Sequence, residues 1–222
     1  AFDRGLALVA IPLLLGLTAW EASGRRALDL RLTHVPGLGV TERLFPVGAA
    51  DWIEREHPPG PLYHHMADGG YLIWRLHPDH PVLADGRLEV FGEQAGELFA
   101  TSRDGFARLD RRFDFGLALL AYNHYDFGEL FAALRADPRW RLAWADEVSV
   151  VFVKRRPGAP LAPAVDVRAP DLFPPLEDER GLSDLFARRG RARFYVATGQ
   201  TIRAAREVEG LRARYPAWVG GP

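Results

Sequence analysis

The chain of 222 residues is 48% apolar, enough for one domain with a core and an appendage, and its formal net charge of −1 gives no electrostatic footprint for nucleic acid. With no cysteine it forms neither a disulfide nor a thiolate metal site, and it has no cysteine nucleophile. Basic charge is nearly all arginine, with Lys154 the only lysine, a bias that reads as GC-rich coding rather than as phosphate binding.

Residues 5–20, GLALVAIPLLLGLTAW, carry no charge. At 1.5 Å per residue they cover about 24 Å of a hydrocarbon core roughly 30 Å thick. Trp20-Glu21 stands where a signal peptide needs small residues, and one arginine opposed by Asp3 makes a poor basic leader. Residues 1–20 therefore read as a terminal membrane helix, cut short at its start, with Trp20 near the interface; a buried soluble helix competes. Arg25, Arg26 and Arg31 would favour a cytoplasmic carboxyl side, although a single helix gives the positive-inside rule little weight.

Residues 21–44, interrupted by Gly37 and Gly39, read as an irregular or partly helical connector. Pro46 opens a helix through Trp52 and Ile53, closed by His57-Pro58-Pro59-Gly60. Residues 61–66 read as a first core strand. Gly69-Gly70 then opens an apolar helix in which Tyr71, Leu72, Trp74 and Leu76 recur at helical spacing. Residues 82–84 form a short interior strand that ends in the turn Asp85-Gly86-Arg87. Two helices are expected over 89–100 and 102–111, followed by the buried strand FDFGLALLAY over 113–122, with Asn123 and His124 at its end. Asp126 is placed to cap a helix over 127–136 with Leu130, Phe131 and Leu134 as its buried stripe. Strands over 140–144 and 148–154, joined through Ala145-Asp146-Glu147, make an antiparallel hairpin. The proline- and alanine-rich residues 157–181 read as a linker, and 182–218 as a charged helical tail.

This order defines an α/β layered domain over residues 45–156 with a mostly parallel sheet and an antiparallel edge hairpin, preceded by a membrane helix and followed by a helical hairpin. Right-handed crossovers place the turn after each parallel strand on one edge of the sheet. His64, His65, Gly69, Gly70, Asp85, Arg87, Asn123 and His124 are expected to converge there. The candidate ligand site is Gly69, Gly70, Asp85, Arg87, Asn123 and His124, taking an anion or a sugar at the Gly-Gly helix end. Against it stand two structural readings: Gly69-Gly70 as a close helix–sheet contact, and Asp85 with Arg87 as a pair bracing the turn. His64, His65, His77, His80, Asp68 and Asp85 fit no zinc spacing, so no metal is assigned. Neither GxGxxG, a Walker motif nor GxSxG occurs; no cofactor and no catalytic residue follow. Asp146 and Glu147, in a hairpin turn, read as solvated.

Taken in order, FPVGAADWI, GGYLIWRL, the apolar strand leading to ADGR, FDFGLALLAY and RWRLAWADEVSVVFVKR resemble the C-terminal soluble region of bacterial polytopic membrane proteins related to the C-type glycosyltransferases. Those are dolichyl- or polyprenyl-phosphate-sugar-dependent mannosyltransferase-like proteins, and the similarity covers residues 45–155. The resemblance implies a lipid-phosphate-linked sugar donor and catalytic carboxylates in early extracytoplasmic loops that this chain lacks. It thus implies a non-catalytic domain, inactive alone, on the outer face of the cytoplasmic membrane, covering an active site or engaging a glycan or protein acceptor. Ala192, Tyr195, Gly199, Ala204 and Pro216 look like one tetratricopeptide repeat, with Arg188 and Arg191 where its early tryptophan and leucine belong. A solitary repeat cannot bury its face alone, so the tail must dock on the domain, pair with another chain or continue further. The alternative function is a membrane-anchored interaction module of an envelope assembly, recruiting a protein through residues 182–218.

Overall fold

The computed structural model describes residues 4–31, 40–98, 101–124, 127–158, 162–176 and 179–219. Helix α1 (Arg4–Ala22) and the single-turn α2 (Arg25–Asp29) precede α3 (Val47–Glu56), β1 (Leu62–Tyr63) and α4 (Met66–Leu76). The short α5 (Leu88–Phe91) and α6 (Ala95–Leu98) are joined by a 3₁₀ turn at Gly92–Gln94, where Gly92 takes φ +52° and breaks the single helix expected there. Then come α7 (Arg103–Phe113), β2 (Leu117–Ala121), α8 (Phe127–Ala136), β3 (Trp140–Ala145) and β4 (Ser149–Lys154). The chain closes with α9 (Gly181–Ala197), α10 (Thr201–Arg214) and α11 (Pro216–Val219). Asp126, the expected cap of α8, lies outside the described residues.

The sheet runs β1-β2-β4-β3 and is mixed, not mostly parallel as the element order suggested. Only β1 with β2 and a single bridge between Leu62 and Val82 are parallel; β4 is antiparallel to both β2 and β3. Proline explains the shortfall. Pro59 and Pro61 before β1, and Pro81 before Val82, remove N–H donors, so the parallel part shrinks to a two-residue strand and one bridge.

Alternation along β2 and β4 separates two cores. Leu117, Leu119, Val151 and Val153 face α3 and α4, meeting Ile53 and Leu72. Ala118, Leu120, Val150 and Phe152 face α7, α8 and α9, meeting Leu109, Phe131 and Phe194. The domain is therefore a three-layer sandwich with helices on both faces.

The tail docks on the domain. Phe194 is fully buried, ring against ring with Tyr122, Phe131 and Phe173. A third cluster of Ala27, Leu182, Leu185 and Leu211 closes α2 against the α9–α10 hairpin, and Trp218 Nε1 donates to Leu28 O at 3.0 Å. The proline-rich segment runs along the open side of β3, held by Val165 N to Leu142 O at 3.0 Å and Arg141 Nη1 to Ala162 O at 2.9 Å, which covers an edge strand. At the far end of β4, Lys154 Nζ lies 2.7 Å from Asp110 Oδ1, 3.0 Å from Asp114 Oδ1 and 5.3 Å from the Trp140 ring centroid.

Helix α1 extends from α2 with Leu8, Val9, Ile11, Leu13, Leu14 and Leu15 all more than half exposed. Among the described residues no helix is long and apolar enough to cross a membrane.

Candidate functional site

The carboxyl ends of β1 and β2 meet the start of α4, and the helix start lies three residues earlier than the glycines. Helix α4 begins at Met66, capped by His65: Ala67 N donates to His65 Nδ1 at 3.2 Å and Asp68 N to His65 O at 3.0 Å. Gly69 and Gly70 thus sit inside the helix, and the anion seat expected at a Gly-Gly helix end is not there. The two glycines differ. A methyl built on Gly69 would lie 2.8 Å from Asp85 Cα and 3.0 Å from the Ala84 carbonyl carbon, whereas one on Gly70 meets nothing within 4 Å. Gly69 is a close contact between helix and turn; Gly70 faces open space.

Beneath that contact His64 is buried. Its Nδ1 donates to His65 O at 2.8 Å while its Nε2 accepts from Leu83 N at 3.1 Å, a pairing that requires the neutral Nδ1–H tautomer. Burial pushes its pKa down, in keeping with that state. Asp85 Oδ2 accepts from Arg87 Nη2 at 2.6 Å and Asp85 Oδ1 from Arg87 N at 2.9 Å. These bonds from Arg87 hold the Asp85 carboxyl below its usual range, and the Arg87 side chain remains 63% exposed. His124 Nε2 lies 2.8 Å from Asp68 Oδ2, with its ring stacked on His65 at 3.7 Å between centroids. The expected convergence is partial: Gly69, Asp85 and Arg87 gather at one turn, and Asp68 joins His124 to α4.

A cavity of about 440 Å³ opens beside this cluster, lined by Asn123 and Asp68 but by neither Asp85, Arg87, Gly70 nor His124. Its other wall comes from elements that the sequence does not link to the strand ends. Arg189 and Arg193 project from α9, Arg43 from the segment before α3, and Glu147 from the β3–β4 turn. Glu147 is buried, not solvated: it accepts from Arg43 Nη1 at 3.1 Å and from Arg191 Nη2 at 2.6 Å, and Arg191 Nη2 also donates to Pro174 O. Gly190 makes this approach possible, because a methyl there would strike the Glu147 backbone and the Tyr122 ring. Asp146 accepts from Val148 N and Ser149 N, each at 2.7 Å, and burial raises its pKa. Tyr122, another lining residue, has a buried hydroxyl with no hydrogen-bond partner among the described residues, and burial pushes its pKa well up.

Arg189 and Arg193 leave no distinguishing trace in the sequence: Arg191, which pairs with Glu147 at 2.6 Å, also lacks an acidic residue three or four positions away. Arg188 has Asp184 four residues before it and pairs with it at 2.8 Å, whereas Arg189 and Arg193 have no acidic residue three or four positions away. Among the described residues no three His, Cys, Asp or Glu side chains are grouped so as to hold a metal ion.

No protein-family model, curated protein or solved structure matches this chain.

Proposed function

We propose that the chain is a non-catalytic extracytoplasmic domain of a membrane glycosyltransferase-like protein that uses a lipid-phosphate-linked sugar. It is tethered to the bacterial cytoplasmic membrane through α1 and contributes acceptor or sugar/anion binding at the carboxyl edge of its sheet. The observation that carries this reading is the bare surface of α1. Leu8, Val9, Leu13 and Leu15, at 77%, 69%, 62% and 65% exposure, find no cover in the domain, and each such side chain gains roughly 1.5–3 kcal/mol on leaving water. A lipid phase supplies that cover. A pocket lined by Asn123, Arg189 and Arg193 supports the binding role.

Alkaline extraction of membranes containing the full chain tests the tether. The wild type stays with the bilayer and the Leu14→Arg/Leu15→Arg variant is released, each arginine costing roughly 2.5–3.5 kcal/mol near a helix centre. Release of the wild type in the same wash would refute the tether. The second reading, an interaction module acting through the tail, is favoured by Val196 and Ile202, which are exposed at 67% and 71% around the α9–α10 turn. An Ile202→Asp chain that still sediments with its native assembly would remove that reading.

A further inference from the structure

The cavity at the carboxyl edge carries two arginines whose charge no carboxylate balances among the described residues. Arg43, Arg189 and Arg193 line it together with Asp68 and Glu147. Both carboxylates are already held, Asp68 by His124 at 2.8 Å and Glu147 by Arg43 at 3.1 Å and Arg191 at 2.6 Å. Arg43 gives its other amino group to Glu179 at 2.7 Å. Arg189 and Arg193 have no ion-pair partner among the described residues, whereas the neighbouring Arg188 takes Asp184 at 2.8 Å and Glu207 at 3.0 Å. Four residues apart on α9, the two unpaired guanidinium groups lie on the same face, and like charges so placed repel. Arg193 is half-buried, and that burial together with the charge of Arg189 pushes its pKa down, with no carboxylate among the described residues opposing the shift. A concave wall carrying two such groups is stabilised by an anion between them.

We propose that Arg189 and Arg193 form a subsite for a phosphate group, belonging to a ligand whose apolar part lies against Phe45, Val148 and Phe186. Two planar donor forks suit a tetrahedral oxyanion, which offers acceptor oxygens on several sides where a carboxylate offers two in one plane. Asn123, exposed and lining the same cavity, adds an amide donor. At about 440 Å³ the cavity falls in the size range of small-molecule sites, so it accommodates more than the phosphate, and its remaining surface at Phe45, Val148 and Phe186 is apolar. Arg87, the cation that the sequence offered for this task, takes no part because Asp85 holds it. The subsite deepens the reading of the sheet edge as a binding site and is independent of how α1 is covered. The phosphate comes either from a soluble ester or from a lipid headgroup.

The test uses the full chain in mild non-ionic detergent, with phenyl phosphate as probe and benzoate as the carboxylate control, binding being read by calorimetry or by amide NMR shifts. Phenyl phosphate binds, benzoate binds more weakly, and Arg189→Gln and Arg193→Gln each weaken phenyl phosphate about tenfold. Arg189→Lys recovers part of the loss, and Arg87→Gln leaves binding unchanged. Arg189 is exposed, so its substitution perturbs the fold least, and an unaltered melting curve confirms that loss of binding is local. Co-sedimentation with phosphatidylcholine vesicles, with and without phosphatidic acid, separates the sources. If the gain from phosphatidic acid disappears in the arginine variants, the headgroup is the ligand; if it persists while phenyl phosphate binding is lost, the ligand is soluble. A wild-type chain that does not bind phenyl phosphate, or folded Arg189→Gln and Arg193→Gln chains that bind it as the wild type does, overturns the proposal, as does an equal loss in Arg87→Gln. Failure of the tether in alkaline extraction leaves these results intact, and the reverse also holds.

Discussion

Gly69 and Gly70 are neighbours in one helix, yet alanine at the two positions should act in opposite directions. An interior helical glycine costs roughly 0.5–1 kcal/mol relative to alanine through the backbone entropy it loses. At Gly70 a methyl meets nothing within 4 Å, so Gly70→Ala collects that gain in full and raises Tm by about 2 °C in a chain of this size. At Gly69 the same gain is overridden. The new methyl would stand 2.8 Å from Asp85 Cα and 3.0 Å from the Ala84 carbonyl carbon, both backbone atoms that no rotamer change can move aside. Helix α4 must then back away from the turn, disturbing Leu72, which is fully buried against the sheet. Overpacking of this kind costs roughly 1–3 kcal/mol, and rigid backbone puts it at the upper end; net of the propensity gain, Gly69→Ala should lose about 2 kcal/mol, a fall of roughly 4–8 °C. Thermal unfolding followed by circular dichroism, with urea midpoints as a check, measures both variants side by side. Two changes of the same sign and similar size would show that α4 does not pack on the Ala84–Asp85 backbone as described.

Glu147→Ala should cost roughly 3–5 kcal/mol in urea unfolding because it leaves Arg191, only 7% exposed, without its carboxylate. The exposed pair of Glu97 with Arg112 supplies the contrast: Glu97→Ala should change stability by less than about 1 kcal/mol, and equal losses at the two sites would refute the buried bridge. Stability should also fall in mild acid. Burial lowers the pKa of His64 in the fold, so below roughly pH 6.5 the unfolded chain takes up the proton first; the stabilisation is complete above that pH and declines as pH drops toward the folded-state value. His80, also lowered by burial, adds a slope of the same sign, so the readout is the part of the slope that His64→Gln removes. A pH profile identical in His64→Gln and wild type would exclude His64 as its source.

Much of the layered core was readable from local pattern. The unbroken apolar run Leu117, Ala118, Leu119 and Leu120 marks a strand buried on both faces, and residues 140–154 carry the hairpin. The cap of α4 is His65, an imidazole acceptor outside the usual Ser, Thr, Asp and Asn set, so the sequence places the start of the helix at the glycines. The contact of Gly69 with Ala84 and Asp85 agrees with the packing interpretation of that glycine pair, and the bidentate Asp85–Arg87 bond with the bracing interpretation of the turn. The burial of Glu147 escapes local pattern for a different reason. Its neighbours in the chain describe an exposed turn, and segments distant in sequence bury it: Arg43 from before α3 and Arg191 and Gly190 from α9. The arrival of α9 also places Arg189 and Arg193 beside Asn123, a juxtaposition that no local window contains.

The position of Lys154 has a practical corollary. It is the chain's only lysine, its side chain is 11% exposed, and its ammonium is clamped by Asp110 and Asp114 above the Trp140 ring. Acylating reagents therefore find the single internal amine shielded while the last turn of α7 and the end of β4 stay together. A lysine-directed label becomes a one-site probe of that corner's opening, its rate reduced from that of a free lysine in proportion to the fraction of time the clamp is open.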